Sequence, residues 1–365
     1  MPSQGIRLPE VNPSCKIRVL VVDDSALVRK LVTDALQRDP GIEVVGTACD
    51  PYVARDKLLE LNPDVLTLDI EMPRLDGLSF LKILQQHRPM PVIVISSLTQ
   101  SGSRVALEAL EAGAVDVLAK PSGANSIGQL AEQLAWRVRA AAVARLGAGR
   151  RGPAKPRLGN EAVKWHPRQL ILLGASTGGV EALTEVLTKL PAGVPGICIA
   201  QHIPAHFSRM FAQRLAGQCA FEVREAADGD KIHAGLALVA PGDYHMIVNW
   251  HPEGYRVALN QKPPLHHCRP AVDMLFHSAA SSVGRHAVAA LLTGMGSDGA
   301  IGLQKLKAAG ARTLAQDEST CLVYGMPRAA VDLGAVDQVL PLWQIPKALV
   351  DNLKLSQNQP MSTTT

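Results

Sequence analysis

From Ile17 to about residue 140, short β-branched runs alternate with amphipathic stretches at helical spacing. The order is "IRVLVV", "ALVRKLVTDALQRD", "IEVVGTA", "YVARDKLLELN", "PDVLTLDI", "LSFLKILQQH", "PVIVISS", "SRVALEALEAG", "AVDVLA", then a helix to about Ala144. Five strand-sized apolar runs separated by helices predict a parallel sheet covered on both faces. The alternation resumes at residue 168 with "QLILLGAS", "GVEALTEVLTKL", "GICIAQH", "HFSRMFAQRLAG", "FEVREA" and "LALVAPG". After "HMIVN" and "YRVALNQ" come "AVDMLFHSAASSVG", "HAVAALLTG", "AIGLQKLKAAG", "ARTLAQD" and a final helical region. This predicts a second, doubly wound α/β sheet with a β-hairpin inserted near residues 245–261. The fold class expected is therefore α/β in two domains, residues 17–140 and 168–355.

Composition sharpens the boundaries. At 365 residues the chain exceeds what one core usually serves. Its longest apolar runs are strand-sized, far short of the ~20 residues needed to cross a bilayer. Residues 1–16 lack the apolar segment of a signal peptide and read as a disordered leader, so a cytoplasmic location is expected. The polar tail, residues 356–365, also reads as disordered. The net charge of +4 hints at nucleic acid until it is located. Between Ala141 and Arg168 seven basic residues face Glu161 alone, among several glycines and prolines. That composition reads as a solvated linker over residues 141–167. No aromatic pattern or reading helix accompanies it, so no nucleic-acid partner is expected. Cys15, Cys49, Cys198, Cys219, Cys268 and Cys321 form no CxxC pair and are expected to be reduced, neither metal ligands nor disulfides.

In open parallel sheets, function collects at the carboxyl ends of the strands. In the first domain those ends carry Asp23 and Asp24, Asp69, Ser96, and Lys120. Asp23 or Asp24 alone reads equally well as a cap for the helix starting near Ser25. Three converging carboxylates, however, repel one another unless a cation sits among them, and oxygen-rich clusters of this kind suit Mg²⁺. A lysine and a hydroxyl at neighbouring strand ends can then hold phosphoryl oxygens, making one aspartate a phosphoryl acceptor. "VDDS", "LDIEMPRLDGL", "ISS" and "AKP" resemble the two-component receiver family in order and spacing. The resemblance implies a flavodoxin-like five-stranded domain in which Asp69 takes a phosphoryl group from a histidine kinase. It places Mg²⁺ among Asp23, Asp24, Asp69 and the Glu71 carbonyl, and makes Ser96 and Lys120 the contacts that couple the phosphoryl group to the surface.

In the second domain the first strand runs into "GASTGG". A strand, glycine turn and helix can cradle a phosphate. A dinucleotide fingerprint wants glycine where Ser176 stands, however, and an acidic residue near the end of the next strand, where this chain has Gln201 and His202. As a nucleophile turn, Gly174, Ser176 and Gly178 satisfy GxSxG, although glycines flanking a serine also mark mere close packing. His202 ends the adjacent strand run, where an imidazole can take and return the serine proton. Asp298, in "LLTGMGSDGA", can fix that imidazole; taken alone, it reads more readily as a cap for "AIGLQKL". Backbone N–H groups around Met295 can face an oxyanion.

"GASTGG", "QHIP", "AADGDKIHAGLALVAPGDYH", "RPAVDMLF", "LTGMGSDGA" and "AQDESTCLVYGMPRAA" together resemble the chemotaxis protein-glutamate methylesterase family, and with the receiver the likeness covers residues 17–350. It implies Ser176 as nucleophile, His202 as general base and Asp298 as its orienter, with Thr177 and the Met295 backbone near the oxyanion and no cofactor at the esterase site. His245 occupies a motif position and reads as a pocket support; His266 has no assigned role. The implied enzyme is a phosphorylation-activated esterase and glutamine deamidase, monomeric and not membrane-inserted, acting on methylated cytoplasmic domains of chemoreceptors. The receiver is expected to cover the Ser176 cleft until Asp69 is phosphorylated. A receiver-controlled scaffold, a nucleotide-dependent enzyme, and the same chemistry in a non-motility array are the alternatives.

Overall fold

The computed structural model describes residues 16–72, 76–97, 99–120, 127–147 and 165–357. Most of the expected leader, the centre of the expected linker (148–164) and most of the expected tail lie outside the described residues. The chain divides into two compact units, residues 1–97 with 108–144 and residues 98–107 with 145–365.

The N-terminal part of the chain alternates strands and helices: β1 (Ile17–Val22), α1 (Ala26–Leu36), β2 (Ile42–Ala48), α2 (Pro51–Leu61), β3 (Val65–Asp69), α3 (Gly77–His87), β4 (Val92–Ser96), α4 (Gln100–Glu111), β5 (Asp116–Ala119) and α5 (Ile127–Ala142). The sheet order is β2-β1-β3-β4-β5 and every pairing is parallel. All residues of β3 and β4 are buried, as expected of strands covered on both faces. The capping alternative for the acidic pair resolves in favour of their neighbour. Ser25 is the N-cap of α1 and accepts from the Val28 amide, while Asp23 Oδ1 accepts from Ser25 N–H at 2.8 Å.

The second unit contains β6 (Leu170–Ala175), α6 (Gly179–Leu187), β7 (Gly196–Gln201), α7 (Phe207–Ala216), β8 (Glu222–Glu225), β9 (Leu236–Val239), β10 (His245–His251) and β11 (Gly254–Asn260). It continues through α8 (Val272–Ser282), β12 (Ala287–Leu291), α9 (Ala300–Ala308), β13 (Arg312–Gln316), α10 (Met326–Asp332), β14 (Gln338–Leu340) and α11 (Ile345–Gln357). Seven parallel strands run β14-β13-β12-β6-β7-β9-β8, and β10 with β11 forms the separate antiparallel hairpin expected near residues 245–261. Two elements had no periodic signature: β14 is three residues long and α10 seven, too short for a recognisable pattern.

From β6 the chain passes to β7 on one side, reaches the edge at β8 and comes back to β9 between them, then crosses to β12 on the other side of β6. The reversal places the ends of β6 and β12 on either side of a topological switch point, where doubly wound sheets bind ligands. β6, β7 and β12 are buried throughout, and Leu172, Leu238, Phe276 and Leu303 belong to the core that holds them.

Candidate active site

Register brings the predicted residues together. Ala175 of β6 pairs with Gln201 of β7, so the next residues, Ser176 and His202, leave neighbouring strand ends side by side. Leu291 of β12 pairs with Gly174, which sets the loop carrying Asp298 on the other side of the serine turn. The Ser176 hydroxyl lies 2.9 Å from His202 Nδ1, and His202 Nε2 lies 2.7 Å from Asp298 Oδ2. All three residues are buried. A carboxylate only accepts, so the ring proton belongs on Nε2, leaving Nδ1 to accept from the serine. This ring orientation is the reverse of that in chymotrypsin-type triads, where Nε2 faces the serine.

The glycines around Ser176 serve close packing and turn geometry together. A Cβ at Gly174 would stand 2.2 Å from Val272 Cγ1, so this glycine lets the start of α8 press against β6. Gly178 has φ +77°, the left-handed conformation that turns the chain from Ser176 into α6. The Ser176 amide donates to the Thr293 carbonyl at 2.9 Å, and its carbonyl accepts from Gly179 N at 2.7 Å and Gln201 Nε2 at 2.9 Å. Gln201 Nε2 also donates to the His202 carbonyl at 3.1 Å. In the sequence Gln201 stood out only as a missing ribose anchor; in the fold it ties the nucleophile turn to the strand that delivers the histidine.

Asp298 does cap a helix, but not the one expected. Gly299 occupies the N-cap of α9, with no side-chain cap. Asp298 instead accepts from Val272 N at 2.7 Å and Asp273 N at 2.9 Å, the first two amides of α8, whose own N-cap residue Ala271 has no capping side chain. Asp273 returns the contact, accepting from Gly302 N in the first turn of α9 at 2.6 Å. The two helices thus exchange carboxylate caps, and that exchange fixes Asp298 beneath the imidazole. Burial would raise the Asp298 pKa, but hydrogen bonds from His202 and the two amides lower it overall, keeping the carboxylate ionised.

The other predicted residues are placed as follows. Thr177 is buried beside Ser176. Met295 is buried in the loop after β12, and its amide pairs with no acceptor among the described residues. His245 Nδ1 accepts from Ala271 N at 3.2 Å and its Nε2 donates to Pro263 O at 3.1 Å, so both nitrogens brace the approach to α8. Burial lowers its pKa, in keeping with a neutral ring. His266 pairs with Asp273 at 3.1 Å. The contact that sequence reasoning missed is Cys268: its Sγ lies 3.3 Å from His202 Nδ1. The five described cysteines are free, and Cys15 lies outside the described residues.

Gly294 offers a direct test of this packing. A Cβ there would lie 2.3 Å from Met326 Sδ and 2.6 Å from Ser176 Cβ. Gly294→Ala is expected to displace Ser176 and cut kcat about 100-fold, the scale of an ångström's misplacement. Overpacking itself costs only about 1–3 kcal/mol of stability. Steady-state kinetics beside a thermal melt separate the two effects.

In the first unit, Lys120 Nζ lies 2.7 Å from Asp69 Oδ2 and 3.4 Å from Asp23 Oδ2. Carboxylate oxygens of Asp23, Asp24 and Asp69 all fall within 4.8 Å of one another. Burial and then the Asp69 charge raise the Asp23 pKa, with Lys120 pulling against them. For Lys120, burial favours the neutral amine but the two aspartates raise its pKa overall. The Glu71 amide donates to Asp69 Oδ1 at 3.0 Å, and Ser96 is buried at the end of β4. Asp23 Oδ2 is buried without a hydrogen-bond partner among the described residues. Three clustered carboxylates set against Lys120 leave an excess of negative charge, and a hard-oxygen cluster of that kind fits a hard divalent cation.

A buried serine, imidazole and carboxylate at the switch point of a doubly wound sheet define an α/β domain of the serine-hydrolase class, joined to a unit built around a lysine-paired aspartate. Comparison with known proteins makes this specific. The CheB methylesterase family matches residues 171–349, and the response regulator receiver domain matches residues 19–132. The chain is 50% identical over 340 residues to a protein-glutamate methylesterase/protein-glutamine glutaminase of Syntrophus aciditrophicus, covering 92% of this chain and 98% of that relative. It is 49% identical over 346 residues to the protein of the same description from Chromohalobacter salexigens, covering 94% and 98% respectively. Among solved structures, the catalytic domain of Thermotoga maritima CheB methylesterase matches with 35% identity and a TM-score of 0.49, over 50% of this chain and 97% of that one. The chain belongs to the CheB methylesterase family, in the form that carries a receiver domain. Among the described residues, no helix is long and apolar enough to cross a membrane.

Proposed function

We propose that this chain is a phosphorylation-activated serine esterase that hydrolyses glutamate methyl esters on the cytoplasmic domains of chemoreceptors and deamidates receptor glutamines. The observation that carries the reading is the continuous hydrogen-bond path from Ser176 through His202 to Asp298 at 2.9 and 2.7 Å. His202 Nδ1 takes the Ser176 proton as Oγ attacks the ester carbonyl, and Asp298 stabilises the imidazolium that forms. Amides of Thr177 and Met295 face the oxyanion. The tetrahedral adduct collapses with methanol leaving, protonated by His202. Water then gives a proton to His202 and attacks the acyl-enzyme, and Ser176 departs with that proton, leaving a glutamate. A glutamine amide follows the same path with ammonia as the leaving group.

Asp69 accepts the phosphoryl group from a histidine kinase. Asp23, Asp24, Asp69 and the Glu71 carbonyl would hold Mg²⁺, which when bound offsets the charge of the phosphoryl oxygens. Lys120, already paired to Asp69, and Ser96 then turn to those oxygens. The receiver spans residues 17–140, the linker 141–167 and the catalytic domain 168–355; the enzyme works in the cytoplasm as a monomer.

The test is methanol release from methylated receptor with and without a small phosphodonor. Regulatory couplings usually amount to about 5- to 150-fold, and a stimulation in that range is expected for the wild type. Asp69→Asn should abolish the stimulation and leave the unstimulated rate in place. Equal stimulation of both proteins would refute phosphorylation control at Asp69.

A further inference from the structure

We propose that Cys268 is a positioning residue for the serine reaction, its thiol competing with the Ser176 hydroxyl for Nδ1 of His202. The inference rests on the reading of Ser176 and His202 as the hydrolytic pair. Two donors converge on one nitrogen: Ser176 Oγ at 2.9 Å and Cys268 Sγ at 3.3 Å. The other ring nitrogen is committed to Asp298. A neutral imidazole offers a single in-plane lone pair at its acceptor nitrogen. While the thiol shares that lone pair, the hydroxyl is activated less.

The thiol is held in place and is not a mobile neighbour. Leu265 and Cys268 exchange backbone hydrogen bonds at 3.1 and 2.9 Å, closing a tight turn around His266 and His267. Both intervening residues have positive φ, +52° and +61°, so the turn occupies a conformation that non-glycine residues rarely adopt. Beyond it, Arg269 is anchored to Asp243 Oδ1 at 3.0 Å and to the carbonyls of Gln261 and Lys262, both at 3.0 Å. Each of these ties fixes the direction from which Cys268 meets the ring.

The titratable groups around His202 come from four elements. Asp298 approaches from the loop after β12, Cys268 and His266 from the turn, and Asp273 of α8 acts through His266. His245 of β10 interacts with Asp298, and Arg269 with His245. Burial favours the neutral form of His202 while the hydrogen bond and charge of Asp298 favour the protonated one; a neutral Cys268 thiol, as a donor to Nδ1, opposes protonation of that nitrogen. His202 is a base only when neutral, so kcat/KM rises as pH climbs through its pKa. A thiol that donates to Nδ1 stabilises the neutral ring, so removing Cys268 raises that pKa and moves the acid limb to higher pH.

The experiment measures kcat/KM for methanol release against pH in the full chain, with phosphodonor present, for wild type, Cys268→Ala and Cys268→Ser. The alanine variant should move the acid limb up by about one unit, a tenfold loss at fixed pH on that limb, since one pKa unit is a factor of ten, while the plateau rate rises because Ser176 no longer shares the lone pair. The serine variant, which retains a donor, should fall between, with KM unchanged in both. Superimposed limbs, or a rate lost equally at every pH, would overturn the proposal and leave Cys268 a packing residue. If wild type and Ser176→Ala both release no methanol, the esterase reading fails instead. The contact is then judged by NMR titration of the His202 ring: a higher pKa in Cys268→Ala upholds it, an unchanged or lower one rejects it.

Discussion

Ser176→Ala is expected to lower methanol release from methylated receptor by about 10⁴-fold or more, as loss of a serine nucleophile does in triad hydrolases. Its thermal stability should barely move. The contacts that hold the turn are made by the backbone of residue 176: its amide on Thr293, its carbonyl under Gly179 and Gln201. Alanine keeps all of them and deletes only the hydroxyl facing His202. Receptor peptide should still bind with an affinity close to that of the wild type. A variant that retains a tenth of the activity would mean that another group attacks the ester, and the mechanism would have to be rebuilt around it.

Asp298→Asn is expected to cost about 10³- to 10⁴-fold in kcat, because an amide no longer enforces the ring tautomer that leaves the lone pair toward the serine. The orientation seen here makes the consequence specific. Asp298 requires the proton on Nε2; an asparagine NH₂ turned toward that nitrogen would place the proton on Nδ1, where Ser176 needs an acceptor. KM should change little. Asp298→Ala should add a structural penalty that the asparagine variant avoids only in part, since an NH₂ in place of Oδ2 leaves Oδ1 for the Asp273 amide but no acceptor for that of Val272. Alanine strips both the Val272 and Asp273 amides of their acceptor in a buried site, and unsatisfied buried groups cost about 1–3 kcal/mol each. A thermal melt of both variants, set beside their kcat values, separates the orienting role of Asp298 from its capping role. An asparagine variant within tenfold of the wild type would show that the tautomer is fixed by something else.

Much of the site was readable without coordinates because strand ends are readable. "GASTGG" announced a strand-to-helix turn, and "GICIAQH" put His202 one residue past the end of a neighbouring run; parallel pairing of β6 with β7 then joined them. Asp69 and Lys120 emerged from the same logic and meet at 2.7 Å. The logic fails for contacts made across the strand direction. Asp298 suggested a cap for the helix that follows it, since local sequence shows only local amides; it caps α8, whose first residue lies 26 positions earlier in the chain. Gln201 looked like a failed nucleotide anchor, and Cys268 was expected only to be a reduced thiol outside any metal site or disulfide. Neither pattern carries the turn geometry that aims these groups at the Ser176 carbonyl and the His202 ring.

Hydrophobic periodicity by itself determined that this chain forms two parallel sheets sheathed in helices, and which side chains stand at their carboxyl edges. Burying an apolar run on both faces leaves little alternative to that arrangement. Only the tertiary structure decided that β12 lies against β6, bringing Asp298 to His202 across 96 positions. It also decided which imidazole nitrogen faces the serine and that a thiol shares it. Strand order and ring orientation depend on how whole layers pack and how distant helix ends exchange caps, and neither is encoded in the period of any single segment.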